Sequence, residues 1–316
     1  RTAGGSSGGA AAAVGSHVVP IAQGSDGGGS IRIPAAACGV VGLKASRGRV
    51  SKGPIGVDGA GLVSDGVLTR TVRDTAAALD VLAPGWPGDP YPVPVPATSF
   101  LAAVDETLPR LRVGVLTEPV IADDAEVHPG ALRAVEKTVA WLADLGHDID
   151  MAPKPFGVED WAAFHALWAV GALGAPVPPE SEPQLRPLTR WLRDQGRTVT
   201  GQEYAAAALA AQQITRRTAE LWDPFDVIVT PTLAQPPAKH GTLRDDADPA
   251  GDFTAQMRFT PWTSIYNLTG RPAISLPLHT EEVDGVKLPF GVMLGARLHD
   301  DARLLTLAAD LEEAAA

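Results

Sequence analysis

Two glycine–serine clusters near the start of the chain, Gly4-Gly5-Ser6-Ser7-Gly8-Gly9 and Asp26-Gly27-Gly28-Gly29-Ser30, constrain the fold more than any other feature. Glycines carry no Cβ, so a run of them can turn several backbone amides toward one point. A flexible linker would use the same composition. Here the clusters flank apolar runs instead. Residues 10–14 read as a short helix and 18–22 as a strand ending at the Gln23-Gly24 turn. Residues 31–38 read as a second helix and 40–43 as a further strand. Clusters placed at the ends of packed elements point to a site.

Three site chemistries use glycine-rich turns. A phosphate cradle needs G-x-x-x-x-G-K-[ST], and no Lys follows either cluster; a dinucleotide fingerprint needs a strand before its glycines, and none precedes Gly4. Gly5-Ser6-Ser7-Gly8-Gly9 fits G-x-S-x-G with Ser7 at its centre, but residues 1–3 offer little of the strand that should lead in. The third reading takes both clusters together as one site.

The rest of the chain reads as α/β. Residues 71–82 form a helix that Thr71 caps, with Asp74 completing a capping-box-like pair, and a Pro-rich loop covers 85–96. Strand 111–116, helix 129–145 and strand 148–151 alternate as in a sheet with helices packed on it. Residues 157–222 look all-helical, broken at 176–179 and at Gly196. Strands at 226–230, 273–278 and 289–294 precede a closing helix at 300–313. The fold class is therefore α/β: a mixed, largely parallel central sheet covered by helices on both faces, an α/β/α sandwich incomplete at the N-terminus. Residues 1–316 read as one partial domain, with a variable helical insertion at about 155–225.

Composition excludes several functions. The net charge of −11, with no Lys/Arg cluster, argues against a nucleic-acid partner. A single cysteine, Cys38, precludes an intrachain disulfide and any CxxC pair, and no apolar run reaches the roughly 18 residues of a membrane span. Without HExxH or CxxC, neither a metal nor another cofactor is expected. The expected location is the cytoplasm.

The two clusters, continued through Ile31-Arg32-Ile33-Pro34 and Cys38-Gly39-Val40-Val41-Gly42-Leu43-Lys44, resemble the amidase-signature family. So do the segment from Asn267 through Gly270-Arg271-Pro272-Ala273 to Pro277 and the segment Pro289-Phe290-Gly291-Val292, so the resemblance runs from residue 1 to about 313 and is weakest in 90–225. It implies a Ser–cis-Ser–Lys triad: Ser30 as the nucleophile, Ser6 entered by a cis peptide bond as the proton relay, and a lysine as the base. It also implies an oxyanion hole from the amides of Gly27, Gly28, Gly29 and Ser30. Asp26 and Arg32 would brace the loop, and Ser7 would either bond the two serines or cap the helix after it. Gly27 stands where the family often carries a larger residue such as Thr, which should loosen the loop slightly.

The family's lysine lies well upstream of the bridging serine, and five residues precede Ser6. The chain starts at Arg1, inside a motif, so it reads as a truncated member that lacks its base and is inactive alone. Lys44 matches a different family lysine and should be structural or surface-facing. Ile33, where the amidotransferase branch usually carries Gln, resembles the stand-alone amidases, and the glycine run is similar to enzymes that open cyclic amides of the nylon-oligomer type. The expected partner is a small-molecule amide, with a homodimer as the candidate assembly and no membrane. Candidate pocket residues are Trp161, Phe164, Trp168, Trp262 and Tyr266, with core packing as their ordinary alternative. An amidotransferase-like subunit, or a binding module that has lost catalysis, is the alternative function.

Overall fold

The computed structural model describes residues 1–57 and 59–316. The first cluster leads into α1 (Gly8–Gly15), followed by β1 (Ile21–Asp26), α2 (Arg32–Cys38), β2 (Val41–Lys44) and β3 (Ser64–Thr69). Helix α3 (Val72–Leu82) and the short α4 (Phe100–Ala103) precede a β–α–β unit: β4 (Arg112–Val115), α5 (Pro129–Asp144) and β5 (Asp148–Met151). Three helices follow, α6 (Trp161–Gly171), α7 (Pro187–Thr198) and α8 (Gly201–Leu221), then β6 (Val227–Pro231). The chain ends with α9 (Pro249–Phe259), α10 (Ile265–Thr269), β7 (Ala273–Val283), β8 (Val286–Ala296) and α11 (Asp301–Ala314).

Eight strands make one mixed sheet in the order β1-β3-β2-β7-β8-β6-β4-β5. The mixed α/β class is as expected, but the sheet is not largely parallel. Among the described residues only β4 pairs in parallel, with β5 and with β6. The other pairings are antiparallel. The reason is local. Helical crossovers give parallel neighbours, and the sequence shows that pattern clearly only around residues 111–151. The sheet centre is instead the long β7–β8 hairpin, whose turn residues Asp284 and Gly285 both adopt positive φ, as a two-residue Asp-Gly hairpin turn requires.

The sheet is buried on both faces, so its inner strands feed two cores. In β6, Val227 and Val229 join a core with Leu79, Phe100, Leu142 and Leu305, while Ile228 between them joins Trp222, Ile265 and Phe225 on the other side. That alternation is the two-residue period of a strand. Helices α3, α5 and α11 cover the first face, and α6, α8 and α10 contribute to the second.

Two boundaries differ from the sequence expectation. The first strand runs over Ile21–Asp26, not 18–22, because it forms its ladder with β3 there, while Val18 stays exposed and Pro20 has no N–H to give a ladder. Helix α7 continues through Gly196, where a break was expected. A Cβ there would lie 2.3 Å from the Ala169 carbonyl oxygen, so the glycine lets α7 lie close against α6. At α3 the Thr71 hydroxyl accepts from the Asp74 amide at 3.1 Å, as expected of its cap. Among the described residues no helix is long and apolar enough to cross a membrane.

Candidate active site

The second glycine–serine loop lies between β1 and α2, and its fixed point is Asp26, the last residue of the strand. The Asp26 carboxylate is fully buried and meets Arg32 in a two-pronged pair, Nε to Oδ2 at 2.9 Å and Nη2 to Oδ1 at 2.8 Å. The same carboxylate accepts the amides of Gly29 at 2.8 Å, Ile31 at 3.1 Å and Arg32 at 3.4 Å. It thereby folds the loop over itself and satisfies amides at the start of α2. Burial alone would raise the Asp26 pKa. The charge and hydrogen bonds of Arg32, with help from Asn267 and Lys44, outweigh burial and hold it at about 2.

Residues before β7 complete the brace. Arg32 also donates to the Thr263 carbonyl at 2.6 Å and to Asn267 Oδ1 at 2.7 Å. Asn267 Nδ2 donates to the Asp26 carbonyl at 2.7 Å and to the Leu62 carbonyl at 3.0 Å, and Thr263 Oγ1 donates to the Gly28 carbonyl at 2.7 Å. Sequence reasoning placed Asp26 and Arg32 here but gave Thr263 and Asn267 no role. The signal was present: Asn267 opens the segment that carried the resemblance.

The two serine loops meet through their backbones. The Gly5–Ser6 peptide bond is cis, as the resemblance implied. The Ser7 amide donates to the Ser30 carbonyl at 3.2 Å. Ser6 and Ser30 both open onto one cavity of about 390 Å³. No hydrogen bond joins their hydroxyls, contrary to the close pairing the triad would suggest. Ser6 is exposed and Ser30 half-buried, so both hydroxyls stay open to the cavity. Ser7 takes neither of its expected roles. It sits at the N-cap position of α1 without a side-chain cap, and its Oγ instead exchanges hydrogen bonds with the Ser25 backbone at 3.2 and 3.3 Å.

The expected set of four oxyanion amides is reduced. The Gly29 amide is committed to Asp26, so it is not free for a ligand. Its φ is +129°, and a Cβ added at this position would lie only 2.5 Å from Thr263 Oγ1, which leaves no room for any other residue. Gly28 and Ser30 line the cavity. Gly27 is buried, with the Trp168 ring 2.9 Å from where its Cβ would be. A larger residue here would press on the indole, which Gly27 leaves room for.

The aromatic wall is partly as expected. Trp161, Phe164 and Trp168 on α6 line the cavity in a stack, with ring centroids 4.0 Å and 5.5 Å apart. Trp262 and Tyr266 do not reach it. Both are completely buried in the second core, and Trp262 Nε1 donates to the Glu118 carbonyl at 2.8 Å. Burial drives the Tyr266 phenol pKa upward. The core alternative holds for these two.

Lys44 is structural but not surface-facing. It is buried at 1% exposure, and its Nζ donates to the Ala45 carbonyl at 2.9 Å, not to Ser6. Burial, with Arg32 nearby, lowers its pKa to about 7. An amine whose charge is penalised on folding makes stability rise with pH between its folded and unfolded pKa, about 7 and 10.5 here. Lys44→Met is expected to abolish that rise. Urea midpoints of both proteins at about pH 6 and about pH 9 check it, and parallel midpoints would contradict the assignment.

The family model described as Amidase matches residues 1–305. The chain is 35% identical over 333 residues to a 6-aminohexanoate-cyclic-dimer hydrolase of Pseudomonas sp. (strain NK87), covering 99% of this chain and 67% of that protein. Its fold matches a solved 6-aminohexanoate cyclic dimer hydrolase with a TM-score of 0.88 at 32% identity, covering 99% of this chain and 68% of the other. A bacterial aryl acylamidase follows at a TM-score of 0.79 and 26% identity, covering 99% and 66%. Spanning about two thirds of these relatives, the chain belongs to the amidase-signature family of amide-bond hydrolases.

Proposed function

We propose that the protein hydrolyses a neutral, largely apolar carboxamide or small lactam through an acyl-enzyme on Ser30. The observation that carries this reading is the opening of Ser30 and Ser6 onto one cavity beside the Gly28 and Ser30 backbone. Ser30 Oγ attacks the carbonyl carbon and gives its proton to Ser6, which hands it on to a general base, following the amidase-signature pattern. The tetrahedral oxyanion accepts hydrogen bonds from the amides of Gly28 and Ser30. The C–N bond then breaks, the amine takes a proton, and water hydrolyses the Ser30 ester to a carboxylate. In a lactam the amine stays tethered to the acyl group, so one ring-opened product leaves.

The aromatic stack of α6, with Ile33 and Ile121, favours an apolar substrate body. The names of the similar cyclic-dimer hydrolases support a cyclic amide among the candidates. A fluorophosphonate probe followed by peptide mapping tests the assignment directly. Label on Ser30 is the expected result. Label on Ser7, or amide hydrolysis that survives complete labelling of Ser30, would overturn it. Hydrolysis is expected to continue in EDTA, since serine and backbone donors carry the chemistry.

A further inference from the structure

A second cavity, of about 660 Å³, lies behind the catalytic one. The two share a wall made by Trp168 of α6 and Leu192 of α7. Trp168 is held from two sides: its ring rests against Gly27 and stacks on Phe164 at an interplanar angle of 17°. The chamber behind it is lined mainly by apolar groups, among them Leu62, Val63, Leu167, Val170 and Tyr204. Its size exceeds that of the catalytic cavity, yet no residue with a role in the proposed chemistry reaches it.

We infer that Trp168 is the specificity-determining partition of this site, which limits the apolar arm of the amide to the catalytic cavity and keeps a longer alkyl chain out of the chamber behind it. The inference rests on the Ser30 reading for its location but concerns binding. Shortening Trp168 joins the two cavities. Each methylene then buried beyond the partition should tighten binding about fourfold, the equivalent of about 0.8 kcal/mol per CH₂.

The test measures binding of straight-chain alkanamides and N-alkylacetamides, butyl to decyl, by calorimetry in a Ser30→Ala background. With Trp168 intact, affinity should level off within the shorter members of both series. With Trp168→Ala it should keep rising with length in at least one series. Adding Tyr204→Trp, which fills only the rear chamber, should restore the plateau. Leu192→Ala, on the same wall, should lengthen the preference as well, and it decides the matter if Trp168→Ala fails to fold. A length profile in both opened variants no different from wild type would overturn the inference, as would a gain that Tyr204→Trp leaves intact. Product assays on the same samples report separately on Ser30: hydrolysis in its absence would refute the nucleophile and leave the binding comparison readable.

Discussion

Ser30→Ala is expected to lower amide turnover by a factor of about 10⁴–10⁶, with little change in KM. The size follows from the role proposed for Ser30. Without it no acyl-enzyme forms, and only the backbone donors and the positioning of water remain. Ser6→Ala should cost less, about 10²–10⁴, because a proton relay can be bypassed through water whereas a covalent bond cannot. Single-turnover rates on one arylamide separate the two variants. Equal losses would mean the serines act as an inseparable unit, and a Ser30 variant with wild-type turnover would end the assignment.

The second large effect is on stability. Arg32→Met should destabilise the fold by about 3–5 kcal/mol, because it strands the buried Asp26 carboxylate without its cation. Asp26 and Arg32 side chains are both 0% exposed, so no solvent screens the loss. Asp26 also gives a signed pH dependence. Its folded pKa of about 2 lies below the reference value of 3.8, so its contribution is complete above about pH 4 and disappears as pH falls toward 2. Asp26→Asn should remove that part of the acid sensitivity. Denaturant titrations from about pH 5 down to about pH 2 measure it, and an unchanged acid slope in the variant would refute the pairing.

Much of the site was legible because its residues are neighbours in sequence. Ser6, the glycine run, Ser30, Asp26 and Arg32 all fall in the first 32 residues, and short-range geometry ties them together. What the motif could not show is how each amide is used. Gly29 looks like any other donor in the run until Asp26 is seen to occupy it. Thr263 and Asn267 were hidden by distance, reaching the loop from more than 200 positions away. Trp262 and Tyr266 were misplaced because an aromatic beside a motif carries no sign of which way it faces. Strand β3 went unread because Asp65 and Gly66 interrupt its apolar pattern, and only pairing with β1 and β2 makes it a strand.

The contact between Gly27 and Trp168 has a consequence for how such enzymes diversify. The proposed chemistry sits on the two serine loops, while the walls come from helices of the stretch between β5 and β6 and equally from the segment around α9. Exchange of those helices for others can therefore change what enters without touching the reacting groups, except at one seam. As long as an indole occupies position 168, position 27 is locked as glycine, since any Cβ would meet the ring at 2.9 Å. A smaller residue at 168 relieves that contact and leaves Val63 Cγ2, at 3.2 Å, as the tight neighbour of any side chain on the loop. The two positions should change together, in a graft made in the laboratory as in one made by descent.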